Sequence, residues 1–554
     1  MRRKSIQLDN PGKANAPAVP SIPAGRSWFL SALLISGFIL SLTIWFGFGM
    51  DQSVCAYIAW VWDEYHLPPY AGVWDLSFPG IFIVNRLAGR LLGQTVVGFR
   101  IFDFLVQLSC VVMLFHIARR LSGSAAGFMA ATLYSIYYYG LGVMGTAQRE
   151  SFVFWMLLLA LSGFFPLKNR PLLRALLAGL PAGFAFLLKP TFGLAWIILG
   201  VLLWTSGRKR GRTKISIELL VFAGACLLPA IAVIAYYWRL HYLNELYQAC
   251  IRFNLQVYTK MSPASSNNAR LVMSEINRQI IQSQPLLLIS ALAAIVAAPI
   301  VFAPGRDRPA CWTAFFLMLA GFASFILQGK YFAYHLIPFF GFMTIFAGAA
   351  AAWPAVKIAA IVKRPAGRAL SFLFCAAVLV VMALGVKPYL KEFAFKYPFR
   401  GLERAYLSEL GRYDPHMSGN FYLAALYLKP LIKPGDQVEF FGPYPLVNFV
   451  LKARSPSRFP CVQALLLLPG ENRENPCREK WIREYTGSVI AARPRFFLVT
   501  AYFPGQKNKL FKTSQPDLKL ALQNEFQDLN QFLNQNYRLL ATIHQVDVYE
   551  INRE

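Results

Sequence analysis

Apolar residues along this chain fall into blocks of about 20, separated by short polar links. A helix rises 1.5 Å per residue, so such a block covers the roughly 30 Å of bilayer hydrocarbon. The blocks run at 27–49, 96–118, 124–144, 151–167, 173–189, 190–206, 216–238, 285–303, 310–328, 334–353 and 367–386. They predict a polytopic α-helical membrane protein with about eleven transmembrane helices. The fifth and sixth blocks abut at Lys189-Pro190. Proline disfavours helix in the residue before it, so a tight turn is expected there. One bent helix in its place would break the parity.

The links carry a second pattern. With residues 1–26 as a basic cytoplasmic tail, the same-side links hold Arg119 and Arg120; Lys168, Arg170 and Arg174; Arg208, Lys209, Arg210, Arg212 and Lys214; Arg306 and Arg308; and Lys357, Lys363, Arg364 and Arg368. The opposite short links hold Lys189, Lys330 or the pair Arg149-Glu150. Basic loops stay cytoplasmic, so an odd helix count places the C-terminal residues outside. The run from Ser27 is too long for a signal-peptide core and reads as a retained helix.

Three parts follow: the tail 1–26, a membrane domain 27–389 with large outer loops 50–95 and 239–284, and an extracytoplasmic domain 390–554. Amphipathic stretches in the first loop are expected to lie along the interface. Its Tyr57, Trp60, Trp62, Tyr65, Tyr70 and Trp74 would form a headgroup belt. The C-terminal domain reads as α/β. Strands are predicted at 437–441 and 495–500, helices at 444–451 and 516–536, and a closing hairpin at 537–551. No glycine-rich phosphate loop accompanies these strands, so no nucleotide site is expected.

Composition sharpens this. The chain has 554 residues, 56% hydrophobic, with a formal charge of +28. That charge would suit a nucleic-acid binder, but it sits in links between apolar blocks and reflects topology instead. The eight cysteines include no CxxC pair and no metal-spaced Cys/His cluster. No metal and no cofactor are expected. Cys461 and Cys477 fall in the outer domain, where a disulfide could form.

Ionisable residues at a membrane edge are costly to keep without a use. On the outer edge these are Asp51, Asp75, Arg149, Glu150, Lys189, Lys330 and His335, with Tyr334 beside the last. Carboxylates offer base chemistry and the cations suit an anion such as a lipid phosphate. Asp51 follows the first helix, whose C-terminal dipole would disfavour an anion. Lys189 and Lys330 could also snorkel to headgroups, and His335 could be a structural hydrogen-bonded residue.

At these residues the sequence resembles the GT-C-type membrane glycosyltransferases, in the bacterial branch similar to protein O-mannosyltransferases and aminoarabinose transferases. The resemblance rests on Asp51, on Tyr57-Ile-Ala-Trp60 and on Leu67-Pro-Pro-Tyr-Ala-Gly-Val-Trp-Asp-Leu-Ser-Phe-Pro-Gly80. It continues through Gly98-Phe-Arg100, Gln148-Arg-Glu150, Leu188-Lys-Pro190 and the turn with Lys330, Tyr334, His335 and Pro338. The stretch 448–459, ending Ser-Pro-Ser-Arg-Phe, is similar to the tail domain of such proteins. Two positions depart from the pattern: Gln52 follows Asp51 where many members have an acid, and Ser77 stands where many have a lysine.

The resemblance implies transfer, with inversion, of a sugar from a polyprenyl-phosphate donor to an envelope lipid, glycan or protein. Asp51 would be the base and Glu150 the second acid. Arg149, Lys189 and Lys330 would hold the donor phosphate, while Asp75, Tyr334 and His335 would orient groups or bind substrate. A transporter or lipid flippase is the alternative from another class. It would be expected to show paired repeats and midplane polar sites, and no convincing repeat is seen. A catalytically inactive scaffold of the same fold is a third reading, suggested by Ser77.

Overall fold

The computed structural model describes residues 26–164, 167, 169–207, 211–261, 269–282, 285–296, 308–362, 366–384, 418–466, 475–501 and 517–552. The basic tail up to Gly25, Lys168, Arg208, Lys209, Arg210, Arg306, Lys363, Arg364 and the expected boundary at 389–390 lie outside these residues.

Each apolar block contains a helix. Helix α1 (Arg26–Ser41) runs into a 3-10 turn, Leu42–Trp45. Then come α4 (Val96–Ser122), α5 (Ser124–Gly140), α7 (Arg149–Ser162), α8 (Pro171–Leu188), α9 (Leu194–Gly207) and α10 (Arg212–Arg239). Pro285–Val296, Arg308–Gln328, Ile337–Ile361 and Ala366–Leu384 complete the set. Among the described residues, seven helical spans are long and apolar enough to cross a membrane. The shorter α5 and α7 lie almost wholly inside the bundle.

The break at Lys189-Pro190 is a reversal. Lys189 is extended, as a residue before proline prefers, and a 3-10 turn, Pro190–Gly193, starts the next helix. Trp196 on α9 then donates its indole N–H back to Ala182 O on α8 at 3.0 Å. The two blocks are therefore separate antiparallel helices.

Close packing follows the membrane rule of small residues at helix contacts. Gly179 and Gly183, one turn apart on α8, face the backbone of α10. A Cβ added at Gly183 would stand 2.2 Å from Cys226 O. Nearby, Arg174 Nε donates to Glu218 Oε1 at 3.0 Å, with both side chains buried. Arg174, expected to be a topogenic charge in a link, is instead one half of an interhelical ion pair.

The first outer loop folds into α2 (Met50–Glu64) and α3 (Gly80–Leu92). Exposed Leu87 and Leu91 on α3 give it the apolar face expected of an interfacial helix. The aromatic belt, however, is corrected. Tyr57, Trp60, Trp62, Tyr70 and Trp74 are buried, and only Tyr65 is exposed. Tyr57, Trp60 and Trp74 are covered by the outer domain, whereas Trp62 and Tyr70 pack against Tyr236 and Tyr237 of α10.

That domain is α/β as predicted. Strand β1 (Val438–Phe441) pairs in parallel with β2 (Phe496–Thr500), and β2 pairs antiparallel with β4 (Val546–Ile551). A hairpin joins β4 to β3 (Tyr537–Ile543), giving the order β1-β2-β4-β3. Strands β1 and β2 are buried throughout, and both are mostly apolar, with Glu439 the one charged residue between them. Residues 455–459 bring the domain down onto the first outer loop. Ser455 N–H donates to Tyr57 Oη at 2.9 Å, and Trp74 N–H donates to Arg458 O at 2.6 Å. Trp74 also packs against Trp481, with ring centroids 4.8 Å apart.

Candidate active site

The chain turns twice to build the site. After the turn Leu42–Trp45, an extended stretch at 46–49 ends α1, and Asp51 enters the first turn of α2. It was expected beside an unfavourable helix C-terminus. The new helix reverses that, because its N-terminal amides favour an anion. The second turn follows α5. A short helix, α6 (Gly142–Gly145), leads to Ala147 in a left-handed conformation (φ 56°), and α7 begins with Arg149 and Glu150.

One cavity collects the products of both turns. Its lining includes Asp51, Gln52, Asp75, Ser77, Asn85 and Arg149. Tyr334, from the far end of the membrane domain, donates its phenol O–H to Asp51 Oδ2 at 3.1 Å. Arg149 donates to Ser77 Oγ at 3.1 Å. The Ser77 amide donates to Asp75 Oδ1 at 2.7 Å, closing a tight turn at the cavity wall. Burial pushes the Asp75 carboxyl above its usual range, against the pull of Ser77 and Arg149.

A second cluster lies beside the first, with Arg149 in electrostatic reach of both Asp51 and Glu150. Glu150 is fully buried and forms an ion pair with Lys189. His335 Nε2 stands 3.6 Å from Glu150 Oε1. Lys330 is held elsewhere: its ammonium donates to Tyr258 O at 2.7 Å and sits 4.1 Å from the Tyr258 ring centroid. Burial lowers its pKa to about 7. Of the cations expected at one anion, only Arg149 is among the cavity-lining residues. Lys189 and Lys330 have protein partners.

The loop at 239–284 contributes a π-helix, Gln248–Tyr258, which packs against the 70–77 segment of the first outer loop. Asn254 Nδ2 donates to Leu76 O at 2.9 Å. Cys250 donates to Tyr70 Oη at 3.1 Å, and Tyr70 in turn donates to Ser77 O at 2.7 Å. Cys461 and Cys477 are both free thiols. Among the described residues, no three His, Cys, Asp or Glu side chains converge as ligands for a metal ion.

Sequence reading missed Asn85, Tyr258 and Asn254, which carry no motif and join the site only through the fold. It noticed Gln52 as a departure without explaining it. The structure supplies the reason: Gln52 Nε2 donates to Thr146 O at 2.7 Å and Val143 O at 3.2 Å. An ionised carboxylate at that position has no N–H to give.

Comparison with known proteins adds the relationship. Residues 78–238 match the family model described as dolichyl-phosphate-mannose-protein mannosyltransferase. No curated protein matches the sequence. Two structures of ArnT from Cupriavidus metallidurans superpose along nearly the whole chain. The apo form has a TM-score of 0.55 at 13% identity, covering 95% of this chain and 97% of that one. The form bound to undecaprenyl phosphate has a TM-score of 0.52 at 13% identity, covering 95% and 98%. This chain has the GT-C fold. Within the GT-C fold, the first outer loop, the α5–α7 turn and the turn before Ile337 meet at one end of the bundle, where the cavity lies.

Proposed function

We propose that this protein is an inverting glycosyltransferase that moves a sugar from a polyprenyl-phosphate carrier to an extracytoplasmic acceptor. The acceptor is a cell-envelope lipid, glycan or protein, and the protein works in the bacterial inner membrane with its N-terminus cytoplasmic. The observation that carries this reading is the shared cavity, in which a hydrogen-bonded Asp51 carboxylate and the Arg149 guanidinium line one space. The GT-C fold, the partial match to a mannosyltransferase family and the basic links support it. The fold match lends nothing to the transport alternative.

The reaction is a single displacement. Asp51 takes the proton of the acceptor hydroxyl, whose oxygen attacks the anomeric carbon. The bond from that carbon to the phosphate oxygen breaks, and its electron pair stays on the leaving phosphate. Arg149 is placed to meet that charge in a site largely shielded from water. Glu150, through Lys189 and His335, holds the second cluster in place behind Arg149. Asp75 fixes the loop that presents Ser77. Lys330 anchors the π-helix through Tyr258.

The test uses purified protein in lipid nanodiscs, supplied with synthetic polyprenyl-phosphate sugars and an envelope extract. Transfer is expected from the native chain and should vanish in Asp51→Asn. Undiminished transfer by Asp51→Asn at normal expression would sink the assignment of the base. Failure of the native chain to transfer any sugar offered would favour the inactive-scaffold reading.

A further inference from the structure

Arg100 opens α4 and is fully buried. Its guanidinium reaches two separate parts of the chain. Nη2 donates to Gly47 O at 2.5 Å and to Val143 O at 3.2 Å, and Nη1 donates to Thr146 Oγ1 at 2.9 Å. Gly47 lies just before Asp51, and Val143 and Thr146 lie just before Arg149. One turn along α4, the buried Asp103 accepts from Tyr138 Oη at 2.9 Å and from Gln107 Nε2 at 2.9 Å. Tyr138 Oη accepts the Ala147 N–H at 2.7 Å. Ala147 is the left-handed residue of the turn, a conformation that a residue with a Cβ holds only when its surroundings impose it.

We infer that Arg100 and Asp103 form a buried hub of positioning residues that sets the spacing between the segments carrying Asp51 and Arg149. The hub rests on the reading that those two side chains act on one substrate. Its logic is electrostatic and geometric. A guanidinium offers several donors in a fixed plane, so one side chain can hold carbonyls from two segments at a set separation. Its charge is expensive at this depth and is balanced by Asp103 on the same helix face. Asp103 in turn orients the Tyr138 hydroxyl, which leaves that oxygen free to accept from Ala147. Gln52 adds a tie from the Asp51 side, by donating to Val143 and Thr146. Of this network only Gln52 and Ala147 are among the cavity-lining residues; Arg100, Asp103 and Tyr138 are not.

The experiment uses the full chain in nanodiscs and two readouts. Amide exchange is followed in residues 141–149, with 124–140 as the internal reference for an intact bundle. Binding of a synthetic short-chain polyprenyl monophosphate is measured in parallel. Tyr138→Phe removes one hydroxyl and should raise exchange in 141–149 about five- to tenfold, the scale of one lost hydrogen bond, with 124–140 unchanged. Asp103→Asn keeps an acceptor for Tyr138 and should retain protection, whereas Asp103→Leu should lose it. Arg100→Lys cannot bridge both segments and should weaken binding of the monophosphate by about tenfold. Unaltered exchange in Tyr138→Phe, or unaltered binding in Arg100→Lys, would overturn the hub. Should the native chain fail to bind the monophosphate, the functional reading falls, and the exchange experiment still decides whether the hub holds the turn.

Discussion

Tyr334 and Asp51 stand 283 residues apart in sequence, yet the phenol O–H of one donates to the carboxylate of the other at 3.1 Å. The bond fixes which way the carboxylate faces, and Tyr334→Phe removes it without changing shape. Hydrogen bonds to charged groups contribute about 1.5–3 kcal/mol, so turnover should fall by about 10- to 100-fold. The acceptor KM should change little. Steady-state kinetics on a lipid-linked sugar donor would check this, and an unchanged kcat would remove Tyr334 from the reaction.

Lys189 and Glu150 form a buried ion pair, and removing one partner leaves the other charge without compensation. Lys189→Ala should therefore destabilise the bundle by about 3–5 kcal/mol. Pairing it with Glu150→Gln should recover most of that loss. Thermal unfolding of the single and double variants in detergent would show the coupling. Additive losses would mean that the pair contributes nothing as a pair.

Ser77 replaces the lysine that the family resemblance leads one to expect, and its hydroxyl accepts a bond from Arg149. Ser77→Lys would set a second cation against Arg149 and break that bond. The expected result is weaker transfer, by about tenfold, and not a gain. Activity above the native level would show that Arg149 alone is an incomplete phosphate site.

Glu439 sits fully buried in β1 of the outer domain, where Ser455 and Tyr485 donate to its two oxygens at 2.6 and 2.7 Å. Burial raises its pKa from 4.5 to about 7, despite those bonds. The folded domain therefore holds a proton that the unfolded chain releases earlier. Stability is full below pH 4.5, declines as pH rises through about 7, and stays lower above it. Glu439→Gln should flatten that decline. Unfolding midpoints measured from pH 4 to 8 would test it, and a slope of the opposite sign would refute it.

Trp74 and Trp481 join the first outer loop to the outer domain. Trp481→Ala should cost about 3–5 kcal/mol and open the seam to protease. Cleavage confined to the domain junction, with the bundle intact, is the expected pattern.

Much of this architecture was legible because a bilayer imposes a simple code. Apolar length marks a span, and Lys189-Pro190 marks a reversal that Trp196 and Ala182 confirm. Strands β1 and β2 were equally plain, being short, mostly apolar runs. The site was legible only in part. Asp51, Asp75 and Arg149 announce themselves as polar residues at a membrane edge, and the structure brings them together. Their environment did not show. The sense of the dipole at Asp51 depends on where α2 begins. The aromatic residues of the first loop have the composition of a headgroup belt, and only the docking of residues 455–459 on Tyr57 and Trp74, and of α10 on Trp62 and Tyr70, reveals that they are covered. Asp103 was missed in the sequence: its partner Tyr138 comes from another helix, and no local pattern links them.

The bond from Ser455 to Tyr57 spans 398 residues. Synthesis runs from the first of these to the second, so Tyr57, Trp60 and Trp74 emerge long before anything exists to cover them. A chain halted anywhere ahead of Ser455 would leave that aromatic face bare at the bilayer rim, exposed to whatever surveys unfinished proteins. The last third of the molecule thereby reports on the first: only a chain that has reached residues 455–481 hides that surface.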